Sequence, residues 1–240
     1  MQAWFESDVG RYVLSREQTW FDTVSADLFG FNAMQIGGCG NDYLRANRMP
    51  YRFCVADAGG QVACAPEVLP VASQSLDLLA LPHVVEFSSH PHALLREVER
   101  VLRPEGRLLI AGFNPLSLWG ARRLLSREGA SWPWHGHFIQ LARLKDWLAL
   151  LGFEIAGCRM ACYAPPLDRD AWLQRFALLE NAGERWRAFG GGVYLLHAIK
   201  RVQGMRLIEP KWDKRWRMRP AWAPASRNAA QRGIHASDRM

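Results

Sequence analysis

Residues 69–113, LPVASQSLDLLALPHVVEFSSHPHALLREVERVLRPEGRLLIAGF, set an apolar run, an amphipathic helical pattern and a second apolar run in succession. That order leaves few choices beyond a βαβ unit in a parallel sheet. Leu76 to Leu81 is apolar apart from Asp77, as a parallel strand covered on both faces requires. Pro91 suits a first helical turn, because it has no N–H to leave unpaired. Leu94, Leu95, Val98, Val101 and Leu102 recur at helical spacing, with Arg96, Glu97, Glu99 and Arg100 on the opposite face. Pro104 and Gly106 mark the predicted end of the helix, and Arg107 to Gly112 the next strand. The connection is long enough for the right-handed crossover that joins parallel strands.

The rest of the chain extends this pattern. Trp20, Phe21, Val24 and Leu28 predict a helix over Arg16 to Phe29, packed on the sheet or over a cleft. Phe31 to Ile36 reads as the first strand, followed by the turn Gly37-Gly38-Cys39-Gly40, and Tyr51 to Ala56 as the second. Only Asp57 to Gly60 separates that strand from Gln61 to Ala65, whereas a parallel crossover needs about a dozen residues. The pair is therefore expected to form an antiparallel hairpin, or the third strand is absent. Downstream, the pattern predicts helices over Ala121 to Ser126, Leu141 to Leu151 and Asp168 to Asn181, and strands over Phe153 to Cys158 and Val193 to Lys200. Gly152 stands where a helix-ending glycine belongs.

Apolar residues make up 49% of the chain, too many for a wholly disordered protein. No run of about 18 apolar residues exists, and the first residues lack the pattern of a signal peptide, so a cytoplasmic setting is expected. Cys39, Cys54, Cys64, Cys158 and Cys162 are odd in number and scattered, which suggests reduced thiols, and the four-residue spacing of the last two is read as structural rather than zinc-binding. The net charge of +7 is concentrated at the end: residues 200–240 carry eleven Lys or Arg against three acids. There Trp212, Trp216 and Trp222 alternate with Lys211, Lys214, Arg215, Arg217 and Arg219. Two readings stand for this stretch: binding of RNA or another anionic partner, or a solvated tail whose tryptophans dock on the parent domain.

Several short segments in order carry a family resemblance: Leu69-Pro70-Val71, Ser75-Leu76-Asp77, Val84-Val85-Glu86, His90-Pro91, and Arg100 to Gly106 (RVLRPEG). Together they resemble the second half of the catalytic domain of class I S-adenosylmethionine-dependent methyltransferases, particularly bacterial members of the type 11 group. The resemblance implies an α/β fold: a Rossmann-like sheet with helices on both faces, here with a shortened or altered β2-β3 region, and an antiparallel strand pair at the C-terminal edge. It divides the chain into a helical segment over 1–30, a methyltransferase-like domain over 31–204 and a basic, partly disordered tail over 205–240. It implies S-adenosyl-L-methionine as cofactor, held by Gly37, Gly38 and Gly40, by Asp57 at the end of the second strand and by Leu81 near the fourth strand's end. Glycine lets the backbone approach such a ligand, and a carboxylate at Asp57 accepts hydrogen bonds from ribose hydroxyls. The sequence departs from the family pattern in two places: Gln35 stands where an acid is usual, and Ala65 where an acid near the adenine is expected. A trimmed edge of this kind implies weak cofactor affinity, or a pocket completed by a partner or substrate.

Methyl transfer from a sulfonium needs alignment and sometimes a base. His83, beside the fourth strand's end, is a candidate base or, equally, a capping or packing histidine. Asn114 is a candidate cleft residue, and His135 and His137 lie in a Trp-rich loop expected to cover substrate rather than bind metal. The leading reading is a methyltransferase acting on an unknown acceptor. Its alternative is a catalytically inactive binding protein that uses the basic tail.

Overall fold

The computed structural model describes residues 2–57, 59–126, 132–166 and 190–202. The helix expected over Asp168 to Asn181 and the basic tail lie outside them.

One seven-stranded sheet in the order β3-β2-β1-β4-β5-β7-β6 organises the chain. The strands are β1 (Asn32–Ile36), β2 (Tyr51–Ala56), β3 (Val62–Ala63), β4 (Leu76–Pro82), β5 (Leu102–Phe113), β6 (Phe153–Ala161) and β7 (Val193–Lys200). The first five run parallel, and β7 lies antiparallel between β5 and β6. The antiparallel pair at the C-terminal edge is therefore present. The βαβ unit is also present, with α3 spanning Pro91–Val101. Its helix ends ahead of Pro104, and the chain enters β5 directly. Arg103 to Gly106 bulge out of the ladder, so that pairing jumps from Leu76 with Leu102 to Leu78 with Arg107. Asp77, the polar break in β4, accepts hydrogen bonds from the Phe31 and Asn32 amides at 2.8 and 3.0 Å and from Arg103 at 2.9 Å. It pins the start of β1 to β4, at the end of the strands away from the cleft.

Helices cover both faces. On one face, α3 and α5 (Leu141–Leu150) bury Leu94, Leu95, Val98, Leu144 and Leu148 against Leu79, Leu81, Leu108 and Ile110. On the other, α1 (Gln2–Phe5), α2 (Asp8–Ala26) and α4 (Leu118–Leu124) contribute Phe5, Val13, Phe21 and Trp119 against Ala33, Leu78, Leu109 and Phe113. The N-terminal helix starts earlier than its apolar spacing predicts, because Ser7 caps it by accepting from the Gly10 amide at 3.1 Å. Residues 37–50, between β1 and β2, contain no helix, and α2 with Tyr43, Leu44 and Met49 packs on that face instead.

The β2-β3 region differs from the expectation: β3 pairs with β2 in parallel, Val55 beside Val62 and Ala56 beside Ala63. A long parallel neighbour would need the chain to travel back along the whole strand. A two-residue bridge needs only a short step back, which a turn through Gly59 at φ 79° supplies. Gln61 secures the reversal, its amide donating to the Cys54 carbonyl at 2.9 Å while its side-chain oxygen accepts from the Cys54 amide at 2.8 Å. The expectation of five reduced thiols is also corrected. Cys39 and Cys54 form a disulfide with Cα atoms 5.8 Å apart, leaving Cys64, Cys158 and Cys162 free. The parallel register sets Gln35 beside Cys54, so the turn four residues later folds back over that strand. Among the described residues no helix is long and apolar enough to cross a membrane.

Candidate functional site

The carboxyl ends of β1, β2 and β4 meet at one edge, where open α/β sheets bind ligands. β1 leaves the sheet through Gly37 and Gly38, at φ 71° and 59°, a region that side chains with a Cβ avoid. A Cβ on Gly37 would stand 2.9 Å from the Val84 side chain. The turn is held from inside by Gln35, which is 3% exposed. Its amide nitrogen donates to the carbonyls of Gly37, Gly38 and Asn41 at 3.0, 3.2 and 2.9 Å, and its oxygen accepts from the Tyr43 amide at 3.0 Å.

Beside this turn lies a cleft of about 410 Å³, whose lining includes Gly37, Asp57, Ala65, Glu67, Val84 and Phe87. Gly37 and the exposed Asp57 therefore line one space, because β1 and β2 are parallel neighbours. Gly38 is the next residue of the turn. Gly40 faces elsewhere: a Cβ there would meet the Gln2 side chain of α1 at 2.7 Å. Leu81 is fully buried in the core. Ala65 brings no acid to the cleft, but Glu67 does, and it accepts from the Ser88 hydroxyl at 2.5 Å.

His83 follows β4 at φ 53° with its ring wholly buried, and both ring nitrogens are occupied. Nε2 meets Glu17 of α2 at 2.5 Å and Nδ1 meets Glu86 at 2.7 Å. Glu17 also accepts from the Tyr43 hydroxyl at 2.9 Å, and Glu86 from the Phe113 amide at 3.1 Å. Burial by itself pushes the imidazolium down, but the two carboxylates outweigh it and raise the His83 pKa to about 10. At neutral pH the ring is a cation with no lone pair for an acceptor. It stacks on Phe113, with ring centres 4.2 Å apart. Glu17 and Tyr43 were not among the residues named from the sequence, and Glu86 was named only within the Val84-Val85-Glu86 segment of the family resemblance. The available signal was a lone acid on the buried face of α2, where Val13, Trp20 and Phe21 otherwise lie.

Asn114 is 3% exposed and turned into the fold, its amide donating to the Gly191 carbonyl at 2.9 Å and its oxygen accepting from the Leu116 amide at 3.0 Å. His135 and His137 have different surroundings. His135 packs against Phe87 with ring centres 5.0 Å apart, while His137 lines a second cavity, also of about 410 Å³. That cavity lies between the start of α3, the loop before α5 and the exposed side of α5, and shares Ser88 and Ser89 with the first.

Comparison with known proteins places this architecture. Residues 46–110 match the family model described as a methyltransferase domain. The uncharacterized protein YafS of Escherichia coli is 35% identical over 149 residues, a match spanning 60% of this chain and 60% of that one, less than two thirds of the relative's length. Among solved structures, a methyltransferase of Thermotoga maritima described as a possible histamine N-methyltransferase superposes with a TM-score of 0.61 at 19% identity, covering 83% of this chain and 94% of that one. A methyltransferase of Archaeoglobus fulgidus gives 0.56 at 16%, over 79% and 94%. The [4+2]-cyclase SpnF gives 0.53 at 18%, over 78% and 81%. The same architecture thus also carries a chemistry with a different name.

Proposed function

Starting from a chain that has the class I methyltransferase fold and a methyltransferase-domain match over residues 46–110, we propose that it is an S-adenosylmethionine-dependent methyltransferase. One observation carries the reading: the positive-φ glycine turn after β1 and the carboxylate ending β2 line one open cleft, with Glu67 also in its lining. The cleft suits an adenosyl sulfonium. Gly37 leaves the backbone approachable, Asp57 presents acceptors to vicinal hydroxyls, Glu67 adds negative charge opposite a cation, and Val84 and Phe87 supply apolar surface. When bound there, the cofactor would supply an electrophilic methyl group, and Gly37, Asp57 and Glu67 would hold it so that the methyl faces an acceptor at the cleft.

In this proposal His83 is a positioning residue. Held between Glu17 and Glu86, it fixes the chain just after β4, where Val84 and Phe87 enter the cleft wall. Gly40 supports the site through its packing on α1, and Leu81 through the core beneath it. The short β3 leaves the edge next to Ala65 thinly built, so the affinity for cofactor is weak. A cytoplasmic setting and a contact of the basic tail with RNA or another anionic partner belong to the same proposal. A mobility-shift assay at two salt concentrations, with and without residues 206–240, examines the tail. In the alternative reading, an inactive binding protein relies on that contact alone.

Calorimetry of the full chain with S-adenosylhomocysteine tests the cofactor site. Binding is expected, and Asp57→Ala is expected to weaken it about tenfold by removing charged acceptors. No detectable binding at millimolar ligand, or an Asp57→Ala variant equal to wild type, would overturn the assignment.

A further inference from the structure

The second cavity has a chemistry opposite to that of the first. Its described lining contains no Asp or Glu, and its polar groups include Arg143, His92, His137, Ser88 and Ser89. Apolar surface comes from Phe138, Ile139 and the Trp147 ring. The Arg143 guanidinium is exposed and stands 5.3 Å from the centre of that ring. The ring also meets His92, with centres 4.1 Å apart. Stacking on an indole orients a guanidinium without neutralising it. Among the described residues Arg143 has no carboxylate partner.

We propose that this cavity is the acceptor site and takes a small organic acid, with the acid group on Arg143 and a flat apolar body against Trp147, Phe138 and Ile139. The role as acceptor site rests on the methyltransferase reading, while the binding of an acid rests on the cavity alone. A pocket of about 410 Å³ falls within the roughly 300–1,000 Å³ usual for small-molecule sites, which points to a metabolite-sized acceptor rather than a protein or nucleic-acid surface. Because Ser88 and Ser89 line both cavities, the two spaces adjoin along those residues, which puts an acceptor held here next to the cofactor cleft. The separation of charge also sorts ligands. A sulfonium compound is drawn to the wall carrying Asp57 and Glu67, and an acid to the wall carrying Arg143. A cationic acceptor would meet Arg143 with no acid in the described lining of that cavity.

Three probes of similar size test the site on the full chain by ligand-observed NMR and calorimetry: benzoate, phenyl phosphate and benzylamine. Benzoate or phenyl phosphate is expected to bind, the tighter of the two telling carboxylate from phosphate recognition, and benzylamine is not. Arg143→Ala is expected to weaken the acid about tenfold, and Arg143→Lys to restore part of that loss. Both variants change an exposed side chain and should leave S-adenosylhomocysteine affinity within about twofold of wild type, since one such contact is worth about tenfold and none is lost there. Benzylamine binding as tightly as the acids, or an acid affinity indifferent to Arg143→Ala, overturns the proposal. Acid binding without any S-adenosylhomocysteine binding would sink the methyltransferase reading and leave the acid site standing.

Discussion

Gln35 shows how far one side chain can depart from a family pattern and still serve the same turn. By resemblance its position calls for an acid, and from sequence alone its amide counts as a missing anion. In the fold the amide nitrogen is the needed group, because three carbonyls point at it. Restoring the acid should therefore harm the protein. Gln35→Glu keeps an oxygen for the Tyr43 amide but turns a second oxygen towards those carbonyls. With three hydrogen bonds lost at about 1 kcal/mol each, a destabilisation of roughly 2–4 kcal/mol is expected in urea unfolding, together with weaker S-adenosylhomocysteine binding. Unchanged stability with tighter binding would show that the site wants the anion after all. The partners lie within eight positions of Gln35, yet the sequence could not reveal them, since only the positive φ of Gly37 and Gly38 turns those carbonyls inward.

Single elements were legible in proportion to how much apolar surface they bury. β4, α3 and β7 carry nearly continuous or strictly periodic apolar residues, and each lies within a few residues of its expected place. β3 buries nothing, both its residues being exposed, so no pattern announces its direction. The disulfide belongs to this scale as well, joining the turn after β1 to β2 across a separation of 15 residues. Cysteine count and spacing say nothing about which pair the strand register brings within reach. Closing a loop of that length is worth about 3 kcal/mol in chain entropy. The double variant Cys39→Ser/Cys54→Ser is expected to lose stability of that order. Alkylation of the unfolded, unreduced wild type should label three of the five cysteines. Labelling of all five would mean that the bond is absent.

At the scale of the molecule, Glu17 of α2 and His83 at the end of β4 are 66 residues apart and join the N-terminal helix to the floor of the cleft. A histidine whose folded pKa is raised to about 10 contributes stability that is complete below its unfolded value of about 6.5 and is lost as pH climbs towards 10. Wild-type stability should therefore fall between pH 6.5 and 8, ahead of the alkaline range in which the buried Tyr43 and Tyr194, with raised pKa values, add their own losses. His83→Gln should flatten that slope. It should also cost about 3–5 kcal/mol at pH 6.5, by leaving two carboxylates buried without their cation. A slope identical in both proteins would remove His83 as its source. The sequence by itself determined the layers and most of the strands, because burial on a sheet forces apolar period and length, and these are written in consecutive residues. Only the tertiary structure decided what surrounds the ligand edge: that Gln35 is a donor, that Cys39 meets Cys54, that His83 is enclosed by Glu17 and Glu86, and that Arg143 faces a cavity whose described lining holds no acid. Each of these depends on side chains from separate elements arriving at one place, and a linear pattern does not encode their distance.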